Sequence, residues 1–182
     1  QFKRFDINHL VPSWFVPPIG IVVACLTVPT SHFLPLAYGL LIFGIMAYAI
    51  MLPIVLYRLS LGGLIEDARK PTLAILAAPA SLTLSGYLSL VVSPNPLLVI
   101  ALFAIAVLMT VSVYIMLAHL LRLPFSPAYS AFTFPLAISA TAMFKMSQWA
   151  QGVPLFQTYA HAFYLAGLFE GVMTSIVIMY VF

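Results

Sequence analysis

Long apolar runs broken by short polar turns recur six times along the chain. The first covers about Val11–Val28 and ends at TVPTSHF. The second covers about Leu34–Leu56, closed by Tyr57 and Arg58 and followed by the polar loop RLSLGGLIEDARK. The third, about Pro71–Val92, ends at SPNP. The fourth is about Leu97–Leu121, closed by Arg122. The fifth is about Ser126–Met146, followed by SQWAQGVP, and the last is about Leu155–Phe182. Each is close to the ~17–25 residues that a helix needs to cross a bilayer. A lone strand leaves its backbone groups unpaired in lipid, and barrel strands are shorter and alternate strictly. The pattern therefore predicts an all-α, polytopic membrane protein, with short loops that make consecutive helices antiparallel hairpins.

The polar positions supply the orientation. Lys3 and Arg4 precede the first run, Arg58, Arg69 and Lys70 lie between the second and third, and Arg122 lies between the fourth and fifth. With six spans all of these fall on one side, the side that basic loops mark as cytoplasmic. Lys145, at the far end of the fifth run, is the exception.

Proline divides the helices into two kinds. Pro17 and Pro18, Pro79 and Pro135 interrupt the first, third and fifth runs. The spacing is 62 residues from Pro17 to Pro79 and 56 from Pro79 to Pro135, the period of a two-helix hairpin. The same odd helices carry most small polar residues, among them Ser13, Ser81, Thr83, Ser85, Ser89, Thr133, Ser139 and Thr141. The even helices are richer in Leu, Ile, Val and Met. Odd helices inside and even helices outside is the resulting expectation. A proline within a helix frees a carbonyl and bends the axis, and the freed group needs a partner. Packing alone also tolerates prolines in membrane helices.

Composition agrees and narrows the function. Of 182 residues, 64% are hydrophobic and 6% charged, too few charges to coat a soluble fold. The net charge of +3 is scattered, with no basic patch for nucleic acid. The single cysteine, Cys25, reads as apolar filler. No metal cluster, nucleophile–base pair or phosphate loop stands out, since Gly62–Gly63 lacks the Lys-Ser/Thr of a P-loop. No cofactor is expected, and enzyme chemistry has little support. The chain opens QFKRFD and stops within an apolar run, so a longer polypeptide is expected.

Three stretches, VPSWFVPPIGIVVA, RKPTLAILAAPASLTLSGYLSL and SPAYSAFTFPLAISATAMF, resemble the tellurite-resistance/dicarboxylate transporter family. Its members include bacterial tellurite-resistance proteins, the fungal malate permease and sulfite pump, and plant guard-cell slow anion channels. The resemblance implies ten helices in five hairpins, with kinked inner helices around a central pore, in a trimer. Residues 1–182 then correspond to the last six helices. The family's pore-blocking phenylalanine lies in an aromatic-Ser/Thr-Phe-Pro/Gly pattern on the ninth helix. Here that pattern is FTFP, Phe132–Pro135, which makes Phe134 the gate. Phe132, two residues away, faces another direction and is the second candidate. Pro17, Pro18, Pro79, Ser81, Thr83, Thr133 and Pro135 are the expected lining or kink residues.

The odd helices carry no acid in their interiors, which argues against a cation path. Hydroxyls and helix-break amides suit small anions, such as chloride, nitrate, sulfite or a malate-like dianion. For Lys145, anion attraction at one mouth and snorkelling to the interface both stand. For Glu170, the acid inside the sixth run, a coupling proton site and an interhelical or intersubunit packing role both stand. His119 and His161 read as interfacial. The leading expectation is an anion pore plugged by a phenylalanine, in the cell inner (plasma) membrane, as a homotrimer with both ends of this segment cytoplasmic. A proton-coupled C4-dicarboxylate or sulfite transporter, and a non-conducting structural subunit, are the alternatives.

Overall fold

The structure, a computed structural model, describes residues 11–28, 31–61 and 66–181. Lys3 and Arg4, the Gly62–Gly63 pair and Phe182 lie outside the described residues, as do Pro29 and Thr30 of the first turn. Among the described residues the chain is helical and has no strand.

Six helices follow the apolar runs: Pro12–Leu26, Ser31–Leu61, Asp67–Leu90, Pro96–Leu120, residues 127–151, and Gln157–Val181. The second, third, fourth and sixth are long and apolar enough to cross a membrane, so the protein is a multi-pass membrane protein. The other two fall short of that standard. The first helix is shorter, and the fifth carries Thr141, Lys145, Ser147, Gln148 and Gln151 within its turns. The fifth also runs past the expected end, because SQWAQ continues the helix until Gly152 closes it.

The odd helices are composite. The first begins as a 3-10 turn over Pro12–Phe15, becomes α at Val16–Gly20 and returns to 3-10. The third is 3-10 over Asp67–Ala77 and α over Ala78–Leu90. The fifth changes from 3-10 to α at Thr133. Each proline therefore stands in the first turn of an α segment, where a missing N–H breaks no α-helical bond. The carbonyls freed by Pro17 and Pro79, those of Ser13 and Ile75, are met by the backbone. The Val16 amide donates to the Ser13 carbonyl, and the Ala78 amide donates to the Ile75 carbonyl. Tightening to i→i+3 bonds thus absorbs the proline without water or a polar neighbour.

The third helix is innermost. Of its most apolar stretch 78% is buried, against 22%, 33% and 22% for the second, fourth and sixth. It packs against the first, second, fourth and fifth helices, while the second lies on the first and the sixth on the fifth. Close approach is set by small residues, as expected where helices meet in lipid. A Cβ on Gly86 would stand 2.8 Å from Val22 Cγ1 and 3.3 Å from Cys25 Cβ. The outward faces of the even helices carry Phe43, Met46 and Ile50, then Leu108 and Ile115, then Phe169, Val172 and Ile176. Arg58, which closes the second run, is buried near the end of the second helix. At the same end Glu66 pairs with Arg69 at 3.5 Å and Asp67 with Lys70.

Candidate functional site: a groove between the odd helices

The first, third and fifth helices line one cavity of about 360 Å³ around the places where their 3-10 and α segments meet. Phe15, Val16, Ile19 and Gly20 line it from the first helix. Thr72, Ile75, Ala78, Pro79 and Leu82 line it from the third, and Ala128, Ser130, Ala131, Phe134 and Pro135 from the fifth. Hydroxyl-to-carbonyl bonds fix the start of the fifth helix against the third helix and against the turn that follows the fourth. The Ser126 hydroxyl donates to the Ala68 carbonyl at 3.0 Å, and the Tyr129 phenol donates to the Leu123 carbonyl at 2.6 Å.

The FTFP stretch splits its two rings. With the α segment starting at Thr133, Phe132 and Phe134 lie about 200° apart around the axis. Phe132 is fully buried, edge-on to Tyr129 with ring centroids 5.5 Å apart. Phe134 lines the cavity and is 45% exposed. Pro79 and Pro135 lie on the same cavity, whereas Pro17 is exposed and Pro18 half-buried beside it.

The expected hydroxyls lie elsewhere. Ser81 and Thr83 are buried between helices, off the cavity, and Thr133 donates to the Ser130 carbonyl at 2.8 Å. Thr83 donates to the Pro79 carbonyl at 2.8 Å, and Ser139 donates to the Pro135 carbonyl at 3.0 Å. Ser139 has one hydroxyl proton, and with that proton on Pro135 it acts as acceptor for Ser81 at 3.3 Å and Thr110 at 3.0 Å. A buried hydroxyl needs a partner, and the carbonyl one turn back is the nearest. The two hydroxyls on the cavity are also engaged: Thr72 donates to Arg69 and Ser130 to Pro127. The cavity wall is therefore apolar, with no free hydroxyl proton turned into it.

The Ser81–Ser139–Thr110 node escaped the sequence reading because Thr110 follows the most lipid-like stretch of the fourth helix. The Pro-x-x-x-Ser spacing of PLAIS is the signal that marks its centre, Ser139. Glu170 is buried on the sixth helix at 6% exposure, and neither its Oε2 nor the Thr174 hydroxyl one turn on has a hydrogen-bond partner. The Phe103–Phe163 ring contact, at 5.1 Å, sets these residues level with Thr110 and Tyr114 of the fourth helix. Among the described residues no group of three or more His, Cys, Asp or Glu side chains is placed to hold a metal ion.

A family model described as the voltage-dependent anion channel, SLAC1, matches residues 1–180. Comparison with curated proteins and with solved structures returns no match. The match spans nearly the whole chain and agrees with a multi-pass helical bundle, a general role in anion transport and no enzymatic activity. The chain belongs to the SLAC1 voltage-dependent anion channel family.

Proposed function

We propose that this chain forms part of a pathway for small anions that runs along the odd helices and is closed by the Phe134 ring. The observation that carries this reading is the position of Phe134, half-exposed on a groove bounded by the first, third and fifth helices where their 3-10 and α segments meet. An apolar constriction stops ions by excluding water, so a groove without free hydroxyls or acids favours closure at this level. The residues that act there are Phe134, Pro79 and Pro135. Phe132, Ser81 and Thr83 hold the wall from behind, and Pro17, Pro18 and Thr133 shape its edges.

In this reading residues 1–182 are the last six helices of a ten-helix domain, and helices from the rest of the domain complete the ring around the groove. Three such protomers assemble, each with its own pore. The membrane is the inner (plasma) membrane, and both ends of this segment are cytoplasmic, as the clustering of Arg58, Arg69, Lys70 and Arg122 favours. Chloride, nitrate, sulfite and malate-like anions are the candidate solutes.

Proton-coupled dicarboxylate or sulfite transport is the second reading, favoured by buried Glu170 with its unpartnered carboxylate oxygen. The two separate in vesicles of the intact protein. Chloride and nitrate flux that follows voltage and ignores an imposed proton gradient supports the pore. Malate or sulfite uptake that requires the gradient, and is lost in Glu170→Gln, would replace it with the carrier.

A further inference from the structure

A second cavity of about 480 Å³ opens at the opposite ends of the same helices, lined by Cys25, Leu26 and Val28, by Ser31 and Leu34, by Ser89 and Leu90, and by Lys145. Unlike the Phe134 groove, it has a cation, and neither of its two hydroxyls is spent on a carbonyl of its own helix. Lys145 makes no ion pair among the described residues, and the described acids lie elsewhere. Glu66 and Asp67 pair at the far end of the third helix, and Glu170 is buried on the sixth. The Ser31 and Ser89 hydroxyls make no hydrogen bond with another described residue. One obvious structural task for Lys145 is already filled. The carbonyl of Leu90, at the C-terminal end of the third helix, accepts from the Tyr38 phenol at 2.9 Å. The fifth helix also continues to Gln151, so Lys145 stands more than a turn inside its helix rather than at its end.

We infer that this cavity is the anion-collecting vestibule of the pathway, in which the Lys145 ammonium holds a small hydrated inorganic anion, with Ser31 and Ser89 as hydroxyl donors. The inference rests on the anion-pathway reading and names the charge that serves it at the mouth away from Arg58, Arg69 and Lys70. The Phe134 groove has no charge, so anions are concentrated before the constriction rather than in it. A unit charge about 6 Å from an anion raises its local concentration about threefold in a water-like dielectric. Salt erases the effect, since the screening length falls from ~10 Å at 0.1 M to ~3 Å at 1 M.

The test has two arms on the intact protein. In the first, chloride conductance is recorded in a Phe134→Ala background. Lys145→Gln should lower it about threefold at ~0.05 M chloride and leave it unchanged at ~1 M, Lys145→Glu should lower it further, and Lys145→Arg should retain it. In the second, the rate of amine labelling at Lys145 is followed by mass spectrometry in nitrate against gluconate, with Lys70 as internal control. Nitrate should slow labelling at Lys145 and leave Lys70 unaffected. Conductance indifferent to Lys145 charge at low salt, together with labelling indifferent to nitrate, would overturn the vestibule while leaving the pathway standing. Nitrate protection of Lys145 in a protein that passes no anion current would uphold the site and remove the conduction reading instead.

Discussion

Ser139 joins three helices through one oxygen, and its removal tests how the odd-helix wall is held. In Ser139→Ala the Pro135 carbonyl loses its hydroxyl donor at 3.0 Å, and Thr110 and Ser81 lose their acceptor at 3.0 and 3.3 Å. Side-chain hydrogen bonds between membrane helices average ~0.6 kcal/mol, so the two that cross helices, to Thr110 and Ser81, sum to ~1.2 kcal/mol, and the bond to Pro135 within the fifth helix adds up to about as much as one of them. Thr110 sits in a helix and can turn its hydroxyl onto the carbonyl one turn back, recovering part of one bond. The expected loss is therefore about 1–1.5 kcal/mol. Reversible unfolding of the intact protein in mixed micelles reads it directly. The stricter reading is a double-mutant cycle with Thr110→Val, which should return a coupling of ~0.6 kcal/mol. Thr141→Ala is the control. Its hydroxyl bonds only the Ala137 carbonyl, on an exposed face, and its change should stay within about 0.5 kcal/mol. Additive effects of Ser139→Ala and Thr110→Val, or a loss at Thr141 as large as at Ser139, would refute the node.

Two further substitutions probe packing. Gly86→Ala pushes a methyl against Val22 and Cys25 and should cost about 1–3 kcal/mol, with Val22→Ala in the same chain restoring part of the loss. The measurement is the thermal midpoint of the single and double variants. Phe132→Ala opens a cavity behind the groove and should destabilise by about 3 kcal/mol, the low end for a buried ring because lipid weakens the transfer contribution. Phe134→Ala, which trims a half-exposed ring, should retain near-parental folded yield in detergent.

The large divisions of the fold were legible because they rest on single, strong physical signals. Apolar length located the helices to within a few residues, and hairpin-spaced prolines separated an innermost third helix from the lipid-facing fourth and sixth. Smaller features depend on which group meets which neighbour, and periodicity does not carry that. The Pro17 and Pro79 carbonyl vacancies looked like polar spots on a wall, but a switch to 3-10 bonding fills them locally. Ser81 and Thr83 looked like lining, but low dielectric makes an unpaired hydroxyl costly, so Ser81 meets Ser139 of the fifth helix and Thr83 donates to carbonyls of its own turn. Arg58 counts among the basic residues that set orientation, yet only the packing shows that its side chain is buried. For Phe132 and Phe134, a two-residue separation was enough to put the rings on different sides, yet only the start of the α segment at Thr133 decides which one meets the groove.

The most direct measurement is anion current in planar bilayers from the intact protein and its Phe134→Ala form, in chloride, nitrate, sulfite and malate. Removing the ring should raise anion conductance at least about tenfold, equivalent to ~1.4 kcal/mol off the barrier, without a matching cation current. A folded Phe134→Ala protein whose anion conductance equals that of its parent would contradict the assignment of this ring as the closure of the path.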